Sequence, residues 1–222
     1  MLSFTEENYL KAIYKIYEKE KDVASTNAIA ERMSTTAASV TDMMKKLAAK
    51  NLVIYEKYKG TRLSPTGHQI ATTLIRKHRL WETFLVEKLD FSWEEVHIIA
   101  EQLEHIDSDK LIERLDDYLD RPKYDPHGDP IPNAEGKYTL REQIALNQLY
   151  KGDKGVLIGV KNHDDQFLSY LNDLKIGLGT KLEIIDKVMY DKSIKVKIDD
   201  QGPVLLTEKV SRNLFLKKTN QN

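Results

Sequence analysis

His97, Glu101, Glu104 and His105 recur at i, i+4, i+7 and i+8, the interval that lines one face of an α-helix with side chains. His78 and Glu82, also four apart, repeat the pattern one segment earlier. A helix face built of imidazoles and carboxylates is costly to bury unless a cation neutralises it. Taken singly, each histidine reads as an ordinary hydrogen-bonded side chain and Glu101/Glu104 as a solvated face. The shared stripe and its partner segment turn that reading toward a metal-dependent protein. His68 and His127 lack such a context and are left out of the candidate ligands, and Asp107 and Asp109 read as capping-region acids.

The other composition signals bound the class. The 222 residues are 41% hydrophobic and 31% charged, as expected for a globular protein of one to three small domains. No apolar run is long enough to span a membrane, and MLSFTEENYL lacks the basic and apolar stretches of a signal peptide. There is no cysteine, hence no disulfide and no thiolate site, which fits a cytoplasmic location. A net charge of −1 hides an asymmetry. From Lys45 to Arg79 nine basic residues face one acid, Glu56; from Leu80 to Asp120 thirteen acids face Lys88, Lys110 and Arg114. The first stretch suits a polyanion, the second cations.

Periodicity divides the chain. Ser3 and Glu6 form a capping-box pattern before a helix to about Lys21. Helices are expected near Thr26–Met33 and Thr36–Lys50, separated by a tight Ser34-Thr35 turn. A hairpin follows, Leu52–Tyr58 and Thr61–Ser64, turning at Lys59-Gly60. Ser64-Pro65 opens a helix to about Leu89. Ser92 and Glu95 open the helix carrying His97 to His105, and Ser108 caps another that ends before Arg121-Pro122. The segment 122–132, PKYDPHGDPIP, cannot be helical and reads as an extended link. Short β runs follow at Val156–Val160, Lys181–Asp186, Ile194–Ile198, Val204–Leu206 and Asn213–Leu216, a small barrel of SH3-like size. The expected fold is mainly α with β: a winged helix-turn-helix domain (1–64), a helical metal-binding and dimerisation domain (65–121), a Pro/Gly-rich linker (122–138) and an SH3-like domain (139–222).

Helix, helix, tight turn, helix and basic hairpin is the order of a winged helix. The third helix would meet the major groove by its N-terminal end, where Thr36, Ala37, Ala38, Ser39, Thr41 and Asp42 stand. Small and hydroxyl side chains permit close approach; methyls can touch thymine, and hydroxyls can reach base edges or phosphates. Lys45, Lys46, Lys57, Lys59 and Arg62 suit phosphates, which position the protein without reading sequence. With no Arg, Asn or Gln leading that helix, modest base readout is expected, supplemented by DNA shape, on a symmetric operator read by a dimer.

Two metal sites are expected from spacing: Glu101, Glu104 and His105 with a group from elsewhere, and His78 and Glu82 with His97. An all-N/O donor set suits Mn²⁺, Fe²⁺, Co²⁺ or Zn²⁺, and its carboxylate richness favours the harder end.

ENYLKAIY (7–14), LVIYEKYKGTRLSPTGHQIA (52–71), RKHRLWETFL (76–85), WEEVHIIAEQLEHIDSD (93–109) and DPHGDPIP (125–132) together resemble the diphtheria-toxin-repressor family of metal-dependent regulators, in its manganese-transport-regulator branch. The resemblance covers nearly the whole chain. It implies a primary site of Asn8, Glu101, Glu104 and His105, with Asn8 where the family usually has Met or Asp. It implies Mn(II) first, because Glu101 stands where the iron-responsive branch has Cys; Fe(II) is second, with Co(II), Zn(II) or Cd(II) as substitutes. Lys11 falls where some manganese regulators carry a glutamate ligand, which argues against a closely spaced pair of metals. The ancillary site it implies is His78, Glu82 and His97, with His163 and Gln166 added from HDDQF (163–167).

The expected function is metal-gated binding of a homodimer to double-stranded operator DNA, repressing metal-uptake genes, with no membrane or small-molecule substrate involved. Two alternatives differ in class: a winged-helix regulator whose metal is purely structural, and a metallohydrolase. The chain has no H-E-x-x-H motif and no evident nucleophile–base pair, so an enzyme is not expected.

Overall fold

The computed structural model describes residues 2–56, 59–199 and 201–219. The chain forms two compact units, one of Met1–His78, Glu101–Ile112 and Pro132–Tyr138, the other of Arg79–Ala100, Glu113–Ile131 and Thr139–Asn222.

The first unit is a winged helix with additions. Helix α1 (Phe4–Glu20) starts at the expected capping box: Ser3 accepts from the Glu6 amide and Glu6 accepts from the Ser3 amide. It ends at Lys21 in the left-handed conformation (φ 57°). Helix α2 (Thr26–Arg32) and helix α3 (Ala37–Ala49) are capped by Ser25 and Thr36. The turn between them passes through Ser34 at φ 49°, which reverses the chain within four residues. Strands β1 (Val53–Glu56) and β2 (Gly60–Leu63) pair antiparallel, Val53 opposite Leu63, and Ala24 adds a bridge to Thr61. Leu10, Ile13, Ile29, Val40, Met44, Leu47 and Ile75 close the core of this unit. Helix α4 (Pro65–Leu89) opens at Ser64, whose hydroxyl accepts from the Gly67 amide. A Cβ at Gly67 would lie 2.0 Å from the Leu52 carbonyl oxygen, so only glycine lets this turn approach the strand so closely.

The order along the chain continues with helix α5 (Val96–Leu103) and helix α6 (Asp109–Tyr118). Here the structure departs from the sequence expectation. Helix α5 stops at Leu103, and Glu104 and His105 lie in the turn that follows, where the Ile106 amide donates back to Leu103. Lys77 holds that turn by donating to the Ile106 carbonyl at 2.9 Å.

In the second unit a six-stranded sheet has the order β3-β8-β4-β5-β6-β7, every described pairing antiparallel. Its strands are β3 (Ile144–Ala145), β4 (Lys154–Val160), β5 (Lys181–Lys187), β6 (Ile194–Ile198), β7 (Pro203–Leu206) and β8 (Leu214–Lys218). Alternation along β6, buried at Ile194, Val196 and Ile198 with exposed lysines between, shows one face turned to the core. Two helices interrupt the β runs: α7 (Asp165–Asp173), capped by Asp164, and the short α8 (Glu208–Ser211). The expected link at 122–132 is not extended. It is a closed turn in which Tyr124 bridges to Pro130, and Asp125 Oδ1 accepts from the amides of His127 and Asp129 at 2.9 and 3.0 Å. Gly128 holds this turn at φ +87°, with a built Cβ only 2.1 Å from the Ile158 carbonyl oxygen.

Candidate metal centres and nucleic-acid surface

In the first unit, α1 brings Glu7 and Lys11 to the end of α5 and the turn after it. Glu104 is fully buried, a position a carboxylate holds only with compensation. Its two oxygens lie 2.8 and 2.6 Å from Lys11 Nζ, and Oε2 lies 2.6 Å from His78 Nδ1. Lys11 also donates to Glu101 Oε2 at 2.8 Å. Burial alone would raise the Glu101 carboxyl; the charge and hydrogen bond of Lys11 outweigh it and hold Glu101 below the ordinary carboxylate value. His105 is set by Glu7, whose carboxylate is 2.6 Å from Nδ1, and Phe4 stacks on the ring with centroids 4.6 Å apart. This leaves His105 Nε2 toward Glu104, 3.9 Å from Oε1. A carboxylate that fixes an imidazole through one nitrogen while the other faces a ligand set is a recurrent arrangement behind metal-binding histidines. The Asn8 side-chain oxygen is buried with no hydrogen-bond partner. An orphaned amide oxygen on α1 next in sequence to Glu7, a buried Glu104 carboxylate and an oriented imidazole suit a divalent cation. Asn8, Glu101, Glu104 and His105 are therefore residues that could hold one.

The structure places His78 in this cluster, with Lys11 and Glu104, whereas spacing assigned it to the ancillary residues. The reason is local: His78 stands one turn before Glu82 on α4 and reaches the turn after α5.

A second cluster lies in the second unit. Glu82, Asp125 and His127, all buried, bring one oxygen or nitrogen each to within 4.8 Å of one another. His127 Nε2 is 2.8 Å from the Trp93 carbonyl, an acceptor only, so Nε2 carries the proton and donates. The lone pair is then on Nδ1, which is buried and unpartnered, 3.9 Å from Glu82 Oε2. Burial first, then the charges of Asp129 and Glu82, push the Asp125 carboxyl up to about 7. Arg79 partly offsets the acids, with Nε 3.5 Å from Asp125 and a guanidinium nitrogen 3.0 Å from Asp129. Crowded acids around a naked imidazole lone pair suit a cation. His97 Nδ1 is 3.3 Å from Glu82, and the His163 ring stacks on His127 at 4.7 Å. Burial lowers the His163 pKa, against the charges of Asp129 and Glu82, which raise it. Gln166 is exposed on the first turn of α7, where its amide donates to Asp164.

Three contributors here escaped the sequence reading. Asp125 and His127 were hidden in what looked like a linker; the usable signal was a carboxylate and an imidazole two residues apart in a turn that Pro and Gly make rigid. Glu7 was hidden because it holds the His105 ring without sharing the stripe.

The DNA-facing residues expected from sequence are largely on display. Thr36, Ala37, Ala38 and Ser39 are exposed at the start of α3, and Thr41 is half-buried with its hydroxyl donating to Ala37. Several of the cations are engaged within the protein: Lys45 with Asp42 at 3.1 Å, Lys59 with Glu56 at 2.8 Å, and Lys46 with Glu6 at 3.1 Å. Lys50 joins Lys46 on the buried Glu6 carboxylate at 2.7 Å, and it is first among the causes that bring that group down to about 2. Arg62 is exposed on β2. Lys57 lies outside the described residues.

Comparison with known proteins bears on all three parts of the chain. Residues 1–61 match the model of the iron dependent repressor N-terminal DNA binding domain. Residues 64–133 match its metal binding and dimerisation domain, and residues 144–218 match the FeoA domain. A solved manganese-dependent transcriptional repressor in complex with manganese is 34% identical, covers 96% of this chain and 100% of its own, and superposes with a TM-score of 0.83. The chain belongs to the diphtheria toxin repressor family. The diphtheria toxin repressor of Corynebacterium glutamicum is similar to this family member over 228 residues at 28% identity, 93% of this chain and 96% of the relative. The structure of the manganese regulator SloR is 32% identical, covers 96% and 98% of the two chains, and has a TM-score of 0.72. The winged helix, the helical domain and the SH3-like sheet read from sequence are thus the architecture of this family member.

Proposed function

We propose that this chain is a metal-activated, DNA-binding transcriptional repressor that acts as a homodimer on a two-fold symmetric operator, with Mn(II) as its first-choice ion and Fe(II) as its second. The observation that carries this is the meeting of Glu7 and Lys11 of α1, the first helix of the winged helix, with Glu101, Glu104 and His105. A cluster that draws ligands from both sides couples ion binding to the placement of α1. Asn8, Glu101, Glu104 and His105 would hold the ion, which when bound supplies a doubly charged, directional link. Glu7 keeps His105 oriented, and burial of Glu104 keeps water from competing for its oxygens. Glu82, Asp125 and His127, with His97 and His163 beside them, are the candidate second site. The donor chemistry supports a hard divalent ion at both.

Dimerisation is supported by apolar side chains of the second unit that no core covers: Leu89, Ile98 and Tyr118 are 51%, 66% and 65% exposed. Trp81, Phe84 and Tyr118 form a run of ring contacts there. Among the described residues no helix is long and apolar enough to cross a membrane; a cytoplasmic location suits a protein that must meet DNA. The metallohydrolase alternative falls away, because the relatives that match over the whole chain are repressors.

The test is fluorescence anisotropy of a labelled duplex, selected from random-sequence DNA with Mn²⁺ present, across buffered free Mn²⁺, Fe²⁺, Co²⁺ and Zn²⁺. A coupling of about 1–3 kcal/mol would raise DNA affinity roughly 5- to 150-fold on metal binding. Glu104→Ala should abolish that response while the circular-dichroism spectrum stays native. DNA affinity indifferent to chelator would show the reading to be wrong.

A further inference from the structure

Lys11 is the least expected member of the first cluster. Its side chain is 5% exposed, in a place where an ammonium loses nearly all its water. What replaces the water is a shell of carboxylate acceptors, both oxygens of Glu104 at 2.8 and 2.6 Å and Glu101 Oε2 at 2.8 Å, while His78 Nδ1, which also lies 2.6 Å from Glu104 Oε2, is 3.4 Å away. Three carboxylate oxygens and an imidazole nitrogen around one cationic centre is the donor set a hard divalent ion would choose, stretched to hydrogen-bond length.

We propose that the Lys11 ammonium is a tethered cation that fills one cation position of this carboxylate cluster, so that the cluster takes a single divalent ion beside it and holds that ion less tightly than the bare carboxylates would. This rests on the reading of Asn8, Glu101, Glu104 and His105 as a metal site. The charges make the argument. Glu101 and Glu104 supply two negative charges, Lys11 cancels one, and Asn8 adds none. A divalent ion therefore meets about half the compensation that the carboxylates alone would offer, and it shares the oxygens of Glu104 with a neighbour of like sign. The same contacts give Lys11 a second effect. It joins α1 to Glu101 and Glu104 when no ion is bound, so the metal-free cluster is stabilised and the buried Glu104 carboxylate keeps a cation beside it.

The experiment is a titration of Mn²⁺ against a fluorescent chelator, paired with thermal denaturation in EDTA. It is done in a His127→Gln background that disables the second candidate site, with Glu104→Gln as the control for the first. Lys11→Gln is expected to raise Mn²⁺ affinity at least tenfold and to lower the melting temperature in EDTA, while Lys11→Arg, which keeps the charge, stays within about threefold of the parent. If Lys11→Gln does not fold without metal, Lys11→Met, similar in length and uncharged, carries the same comparison. Mn²⁺ affinity unchanged or weakened in both uncharged variants, with the parent binding and Glu104→Gln not, overturns the proposal alone. A parent that titrates no differently from Glu104→Gln overturns the metal reading and this proposal with it.

Discussion

Single atoms decide much of the chemistry at the residue scale. His127 and His105 are both imidazoles fixed through one nitrogen, but the fixing groups differ. The Trp93 carbonyl accepts a hydrogen bond from His127 Nε2, which turns Nδ1 away from that partner and toward Glu82. The Glu7 carboxylate can do more for His105, because a negative charge behind the ring makes the opposite nitrogen a stronger donor to a metal. Glu7→Gln, which keeps the shape and removes the charge, should weaken Mn²⁺ binding at the first cluster about tenfold with the melting temperature in EDTA nearly unchanged; chelator competition measures the first and calorimetry the second. His127→Gln should remove one Mn²⁺ per chain from the stoichiometry at saturation, and a stoichiometry equal to that of the wild type would exclude His127 as a ligand. These two residues also mark the limit of what spacing can reveal. The imidazole–carboxylate stripe was legible because side chains on one helix face recur at fixed spacing, although Glu104 and His105 fall just past the end of α5. Glu7 and His127 owe their roles to partners about 98 and 34 residues away in the chain, and no local pattern records such distances.

Elements show the same division between local and distant causes. Helix starts were readable because the capping side chain sits three residues from the amide it serves: Ser3, Thr36 and Ser64 all do what their neighbourhoods imply. The end of α5 was not readable, because the stripe runs smoothly through it; the helix stops where Lys77 of α4 takes the Ile106 carbonyl. The turn 122–132 was read as a connector for a related reason. Proline and glycine exclude helix, but they do not say whether the remaining backbone is extended or closed on itself. Asp125 closes it by accepting from two amides, and Gly128 permits it by lacking a Cβ. Gly128→Ala should therefore cost about 2–4 kcal/mol, combining left-handed strain with a clash against the Ile158 carbonyl. Urea denaturation would measure that loss, and Mn²⁺ binding at the second cluster should fall with it, since the same turn carries both Asp125 and His127.

For the whole molecule, function depends on how many of its positive charges are available to a polyanion. Lys45, Lys46, Lys50 and Lys59 are each paired with an acid of the same unit, so a count of basic residues overstates the number of phosphate contacts. Each phosphate neutralised contributes about 0.9 to the slope of log affinity against log salt. Arg62→Ala should lower that slope by nearly this amount, whereas Lys46→Ala should change it less, because Lys46 stays paired with Glu6 and neutralises phosphate less fully. Anisotropy titrations at several salt concentrations would separate the two, and equal slopes would mean that the Glu6 pair does not survive on DNA. The order of the six-stranded sheet has a consequence for self-association. Its margins are β3, only two residues long, and β7, which begins at Pro203, a residue with no amide hydrogen to offer. Short margins and a proline leave few backbone groups onto which a foreign strand could be added. Copies of this chain can therefore accumulate to the concentrations a dimer requires without the sheet templating aggregation.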